Sequence, residues 1–341
     1  MSVKQKIKEI VIWLIVLIAA TSFCLFYNFL NPKIINGLFS RFSIISTENN
    51  LMVHFISVGE ADAIAINLPD GKAMLIDTGP EEKNNSYVKY IKQNVLNNNL
   101  NNDIDYLFLT HADIDHTGGA LKLFSTFDVK KVFIPAFGSD TIYYENLLNY
   151  IEDNENYSYV NNDFEIVGNG YKIQVFSPIY TAQTNDGCPL IRIEYMNKSF
   201  LFSGDISKDV ELKMVEKYGN NLDCDVLKVA HHGSKTSTSE EFLNVITPEY
   251  AVISVGANSY GHPSSETLNR IQQVGAECLR TDVNGNILFV VGANYGINYK
   301  TDGYYLTNLS LDYRDLIIVI DAFILIKIIF VIAKKKRRKT K

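Results

Sequence analysis

The stretch that decides the reading is Leu107-Phe108-Leu109-Thr110-His111-Ala112-Asp113-Ile114-Asp115-His116-Thr117-Gly118-Gly119-Ala120. Residues 106–109 are a short apolar run of the kind that forms a buried strand. Four acid or imidazole side chains then fall within six residues: His111, Asp113, Asp115 and His116. Crowded at a strand end, such groups repel or go unpaired without a counterion. A divalent cation resolves the conflict, and imidazole nitrogen with carboxylate oxygen suits zinc, manganese or iron. Alternate residues of an extended turn point in different directions, so one loop can serve two metals. Gly118-Gly119 allows a tight passage into the next helix. The competing reading is a solvated acidic turn whose aspartates cap a helix.

Three other segments share this architecture. Residues 73–79 (AMLIDTG), 200–205 (FLFSGD) and 225–234 (DVLKVAHHGS) each set a polar group at the end of an apolar strand. That is where sites gather in layered α/β folds. Around them strand and helix patterns alternate twice. The first series starts with strand patterns at LMVHFISV, DAIAINL and KAMLID, with the hairpin signal Pro69-Asp70-Gly71 before the last. A polar helix at 82–96, a helix after Thr117, a strand at 130–135 and a helix at 140–153 follow. The second series begins near Asn185. It runs through strands at 190–195, 199–203, 225–230 and 250–255, interleaved with helices at 207–218, 240–245 and 264–274. A strand at 286–291 closes it. Two such halves predict an α/β fold over residues 51–292, an αββα sandwich of two facing sheets with helices outside.

The ends differ from this domain. Residues 10–30 carry no charge over 21 residues, enough to cross a bilayer as a helix, and Lys4, Lys6 and Lys8 precede them. A cleaved signal peptide is the alternative, but the apolar run is long for one, no clean small-x-small site is present and bulky Phe23 precedes Cys24. Residues 315–333 read as a second transmembrane helix, although Asp321 and Lys327 interrupt it, and the basic tail 334–341 follows. A helix lying on the membrane is the competing reading for that segment. Two spans put both termini in the cytoplasm and the intervening domain outside the cell, joined by linkers at 31–50 and 293–314. Residues 31–314 hold 21 lysines and arginines against 35 aspartates and glutamates, a formal charge of −14. So acidic a domain is not built to hold long nucleic acid by phosphate neutralisation. Cys188, Cys224 and Cys278 lie within it, no CxxC occurs, and buried free thiols are expected.

The motifs resemble the metallo-β-lactamase superfamily over about residues 50–292. Its usual metal motif HxHxDH stands here as HxDxDH, with Asp113 in place of the second histidine. With HFISVGEADA (54–63), LIDTG (75–79), LFSGD (201–205), VLKVAHHGSKTS (226–237) and YGHP (260–263), this variant resembles the hydrolase domain of the ComEC/Rec2 competence proteins. Surface phosphorylcholine esterases acting on teichoic acids share it. The resemblance implies two divalent ions, zinc first and manganese next. His111 and Asp113 would bind one, Asp115 and His116 the other, and Asp205 would bridge them. His231 is favoured as the last ligand, with His232 the alternative, and Asp77 would orient ligands. The superfamily's separate third histidine is missing, and Asn185 or Asp186 lies near its place. The usual opening Asp-Val-Gly-Gln-Gly-Asp appears as Ser57-Val58-Gly59-Glu60-Ala61-Asp62.

Asp115 and His262 are the candidate catalytic groups. His262 either gives a proton to a leaving oxygen or is a turn histidine bonded to backbone. Ser234 and Lys235 are candidates for binding an anionic oxygen, and a solvated surface role competes for Lys235. His54 reads as structural. Two cations roughly 3.5–4 Å apart supply a hydroxide near neutral pH. The expected activity is phosphodiester hydrolysis at the membrane, with DNA or a wall polymer as substrate and no stable nucleic-acid complex. Lactone or ester hydrolysis, and a non-catalytic membrane-tethered partner in competence, are the alternatives.

Overall fold

The computed structural model describes residues 49–302, apart from 97–102, 137, 140, 155, 180–184 and 293–295. Both terminal apolar segments, the basic tail and most of the two linkers lie outside the described residues. Among the described residues no helix is long and apolar enough to cross a membrane.

In chain order the strands are β1 (Leu51–Phe55), β2 (Ile64–Asn67), β3 (Ala73–Ile76), β4 (Asp103–Ile104), β5 (Tyr106–Phe108), β6 (Asp128–Val129), β7 (Val132–Ile134) and β8 (Tyr157–Tyr159). Then follow β9 (Phe164–Val167), β10 (Tyr171–Phe176), β11 (Leu190–Tyr195), β12 (Lys198–Phe202), β13 (Val226–Lys228), β14 (Tyr250–Ile253), β15 (Glu277–Arg280), β16 (Ile287–Val291) and β17 (Ile297–Thr301). One sheet has the order β17-β16-β1-β2-β3-β5-β7-β8, and the other β15-β14-β13-β12-β11-β10-β9. β4 and β6 form a separate pair. Each large sheet is antiparallel at one end and parallel at the other. β3, β5, β7 and β8 run parallel, as do β12, β13, β14 and β15. The carboxyl ends of parallel strands form the crevice where ligands bind in α/β sheets, and the polar segments singled out above end there.

The two sheets meet through alternate residues. Val53, Phe55, Ile66 and Ile76 from the first pack with Ile173, Ile193, Phe200 and Phe202 from the second. Phe55 and Phe200 both meet Phe289 edge-on, with ring centroids 6.0 and 5.9 Å apart. Truncating so buried a phenylalanine costs about 3–5 kcal/mol. The other face of the first sheet, including Ala65, Leu75 and Leu107, is buried too, under Tyr87, Leu123 and Leu147. Burial on both faces is why these strands are nearly continuous apolar runs.

Tyr87 lies on α1 (Asn84–Tyr90). The short helices α2 (Ile114–Thr117) and α3 (Ala120–Phe124) follow the His111 loop, and α4 (Ile142–Asp153) starts where Thr141 accepts from the Tyr144 backbone. On the second sheet lie α5 (Lys208–Tyr218), α6 (Glu240–Ile246) and α7 (Ser265–Gln273), burying Met214, Phe242 and Ile271. α8 (Thr281–Asn284) links the last strands.

Three differences from the expected order stand out. The polar helix at 82–96 is divided, a 3-10 turn leading into α1 and a π turn (Ile91–Val95) ending it. β8, β9 and β10 were not expected, and β9 is an edge strand of half-exposed alternation without an apolar run. Residues 297–301, expected in the return linker, pair with β16 as edge strand β17. Ile297 and Tyr299 pack against the core while Asn298 and Lys300 face out.

Candidate metal centre

The loops at the strand ends are joined backbone to backbone. Thr78 N donates to His116 O (2.7 Å), Gly119 N to Gly79 O (2.9 Å) and Asp62 N to Asp115 O (3.2 Å). Asp77, just after β3, is fully buried in the left-handed region, with φ 57°. A non-glycine residue there is strained and persists only where its surroundings hold it. Its carboxylate accepts from Thr110 N (2.8 Å), Thr110 Oγ1 (2.7 Å) and His116 Nδ1–H (2.7 Å).

Each of three histidines has its Nδ1 occupied by a partner. His116 donates to Asp77, and His232 donates from Nδ1 to Ser254 O (2.8 Å). The Thr110 hydroxyl proton goes to Asp77, so its oxygen accepts from His111 Nδ1 (3.1 Å). Such partners fix the ring orientation and turn Nε2 toward the cluster. The Nε2 nitrogens converge on two carboxylates. His116 Nε2 lies 3.5 Å from Asp205 Oδ1 and 3.7 Å from Asp115 Oδ2. His232 Nε2 lies 3.2 Å from Asp115 Oδ2 and 3.6 Å from Asp205 Oδ2. Donor atoms of His111, His116 and Asp205 lie within 4.8 Å of one another, as do those of Asp115, His116 and His232.

These residues fit a metal. His111 Nε2, His116 Nε2 and Asp205 Oδ1 are buried and have no hydrogen-bond partner. Buried polar atoms are rarely left so. Two ligands bonded to one zinc at about 2.1 Å in a tetrahedral arrangement stand roughly 3.4 Å apart, close to the gaps observed here. Charge acts in the same sense. Burial alone would raise Asp205, but His116 and His232 hold it well below the usual carboxylate range. Burial alone would lower His116, and Asp205 and Asp77 raise it well above an ordinary imidazole. Burial would likewise raise Asp115, but the bond from His232 and the charge of His116 bring it down to about 2. Any cation must displace the protons held there.

His231 and His232 share a left-handed turn, each at φ 50°. The following Gly233 leaves no room for a side chain, because a Cβ would stand 2.6 Å from Pro263 Cβ. The turn sends the two imidazoles different ways. His232, the expected alternative, is buried within the cluster. His231, the favoured one, is a third exposed, with Nε2 3.9 Å from Asp205 Oδ2. Asp113 N-caps α2 without a side-chain cap bond. Its carboxylate, 57 % exposed, stands 3.6 Å from His111 Nε2. His262 lies at the mouth, its ring centroid 5.6 Å from that of His231. Its Nδ1–H goes to Glu60 Oε1 (2.9 Å) rather than to backbone. Asn258 Nδ2 and Gly256 N donate to the other Glu60 oxygen. Asn185 and Asp186 lie on the turn Asn185–Gly187, where Asp186 accepts from Ser207 N (3.0 Å). Ser234 Oγ pairs with Thr236 Oγ1 (2.9 Å), and Lys235 is exposed. His54 is structural, held by Asn67 and Tyr90 on the far side of β1.

Two residues of the site had not been singled out. Lys228 and Asp62 are both buried, with Nζ 2.6 Å from Asp62 Oδ2. Asp62 also lies 3.9 Å from His116 Nδ1 and 3.8 Å from His232 Nδ1. Burial would lower the Lys228 ammonium, but Asp62 and Asp205 raise it instead. The clue was a lysine inside the apolar run Val226–Ala230, where a buried charge requires a partner.

Two facing sheets with a histidine–aspartate cluster at their parallel-strand ends define a metal-dependent hydrolase fold. The chain belongs to the metallo-beta-lactamase superfamily, whose model matches residues 57–257, and to its ComEC/Rec2-like branch. It is 32% identical over 263 residues to ComE operon protein 3 of Bacillus subtilis, covering 70% of this chain and 32% of that one. It is 33% identical over 193 residues to competence protein ComA of Neisseria gonorrhoeae (55% and 26%). Recombination protein 2 of Haemophilus influenzae is 27% identical over 243 residues (69% and 28%). The chain thus spans about a third or less of the length of these relatives.

Proposed function

We propose that this chain is a membrane-anchored hydrolase that cleaves phosphodiesters with two divalent cations. The observation that carries the reading is the convergence of the His111, His116 and His232 Nε2 atoms on Asp115 and Asp205, with His111 Nε2, His116 Nε2 and Asp205 Oδ1 buried and without a hydrogen-bond partner. His111 and Asp113 would hold one ion, Asp115, His116 and His232 the other, with Asp205 between. Bound there, such ions lower the pKa of water and stabilise charge developing on a phosphoryl or acyl oxygen. Asp77 and Ser254 hold His116 and His232 in the tautomer that presents Nε2. Lys228 offsets part of the surrounding negative charge. His262, oriented by Glu60, stands where it can pass a proton to a departing oxygen.

The relatives' names place them in competence and recombination, which favours a nucleic-acid substrate. The charge of −14 over residues 31–314 favours brief contact over a stable complex. The apolar segments 10–30 and 316–333, each flanked by basic residues, support an extracellular domain with both termini in the cytoplasm.

The test is turnover by the purified full chain of single-stranded DNA, bis-p-nitrophenyl phosphate, a glycerol-phosphate polymer and a lactone. Cleavage of a phosphodiester is expected, and the preferred one names the substrate. Lactone cleavage with no phosphodiester turnover would make the protein an ester hydrolase. External protease should remove the domain on intact cells, and full protection would refute the topology.

A further inference from the structure

Between β14 and α7 the chain makes a turn that carries His262 and Tyr260. Asn258 holds this turn from within. Its Oδ1 accepts from Tyr260 N (3.0 Å), Gly261 N (3.0 Å) and His262 N (3.1 Å). Its Nδ2 lies within 3.1 Å of Gly256 O, His262 O and Glu60 Oε2. So fixed, the turn sets its two rings differently. His262 is tied to Glu60 and mostly buried. Tyr260 is 76 % exposed, yet its ring stacks on that of His262, tilted by 28° with centroids 5.7 Å apart. Single exposed aromatic residues are ordinary on protein surfaces. This one stands out by its place and its support. Two ring-to-ring steps lead from it into the cluster, 5.7 Å to His262 and 6.5 Å from there to His232. A phosphodiester at the cluster leaves the adjoining unit of its chain within reach of the Tyr260 ring. The charge of −14 over residues 31–314 gives such a polyanion little neutralisation. Affinity must then come from contacts that do not depend on charge, and stacking of a base on an aromatic face is one.

We propose that the open face of Tyr260 is a stacking subsite for an unpaired nucleobase next to the scissile phosphodiester of a single-stranded nucleic acid. The subsite rests on the phosphodiesterase reading of the cluster and chooses between its two substrate classes. A glycerol-phosphate wall polymer has no flat ring to place there, and an unpaired strand does. Bases inside a duplex already stack on one another, so single strands are the fitting form. Stacking reads the π-face that every base has, so the subsite is indifferent to base identity. The ring and not the hydroxyl makes the contact.

The probes are oligothymidylate and an abasic oligomer of equal length, which keeps the deoxyribose-phosphate backbone and lacks the bases. Offered to the metal-loaded full chain, oligothymidylate should be preferred in kcat/KM by about 5–140-fold, the range that one base–aromatic stack supplies. The difference should lie in KM. Tyr260→Ala should lose the preference and Tyr260→Phe should keep it. A ring that only shielded His262 would act on both oligomers alike and leave the preference unchanged. A second readout needs no turnover. Near-ultraviolet irradiation of the full chain with 5-iododeoxyuridine monophosphate should attach the base to Tyr260, as located by peptide mapping. Equal turnover of the two oligomers, a preference that survives Tyr260→Ala, or attachment at other residues alone would overturn the subsite and leave the hydrolase standing. No turnover of either oligomer would overturn the phosphodiesterase reading and the subsite with it.

Discussion

Replacing Lys228 by methionine removes the charge beneath the site while keeping most of the buried stem. Lys228 is 1 % exposed, and its ammonium stands 2.6 Å from Asp62 Oδ2. Removing one partner of a buried pair leaves an uncompensated charge and costs about 3–5 kcal/mol. The lower end applies here, because His116 and His232 lie 3.9 and 3.8 Å from Asp62 and offset part of its charge. A loss of about 3 kcal/mol should lower the Tm by roughly 6–12 °C in a domain of this size. Asp62→Asn in the same chain removes the orphaned charge, so Lys228→Met/Asp62→Asn should be less destabilised than the sum of its parts. The assay is a double-mutant cycle by urea unfolding in chelator, since bound metal would add its own stabilisation. Single variants whose costs add to within about 0.5 kcal/mol would refute the coupling, and with it the role given to Lys228.

Other expectations follow from the same geometry. Asp77→Asn weakens the acceptor that orients His116 and Thr110, and metal affinity should fall roughly 10–100-fold with the fold retained. Equilibrium dialysis against zinc would show it, and unchanged affinity would count against the orienting role. His262→Gln should lower kcat by about 100-fold or more while leaving metal content unchanged. Loss of metal instead would make His262 a ligand. His54 supplies a pH dependence away from the site. Burial brings its pKa from 6.5 down to about 4, against the raising effect of Asn67. Between those values the unfolded chain binds the proton and the folded one does not, so stability falls on acidification from pH 6.5 to 4. The loss reaches about 3 kcal/mol at the lower limit. His54→Gln should flatten that part of the profile in chelator, and an unaltered slope would contradict the assignment.

Much of the architecture was legible because burial leaves a plain mark on sequence. Strands covered on both faces, such as β5 and β12, are continuous apolar runs, and the polar groups at their ends name the site. His111, Asp77 and Asp205 were readable for that reason. Edge strands leave a weaker mark, because β9 and β17 only half-bury alternate residues and read as polar linkers. The choice between His231 and His232 was not legible either. Adjacent residues in one left-handed turn are equivalent in sequence, and the acceptor that draws His232 inward, Ser254 O, lies 22 residues away. Lys228 and Asp62 are 166 residues apart, and their pairing exists only once the sheets face each other.

The central claim is hydrolysis by two cations acting together at the His111–His116 loop. The most direct measurement is bis-p-nitrophenyl phosphate turnover by metal-free full chain titrated with zinc. The account predicts little activity at one equivalent, full activity at two, and none at any ratio in Asp205→Ala, whose carboxylate lies between the two donor groups. Full activity at one equivalent, or turnover that survives Asp205→Ala, would contradict it.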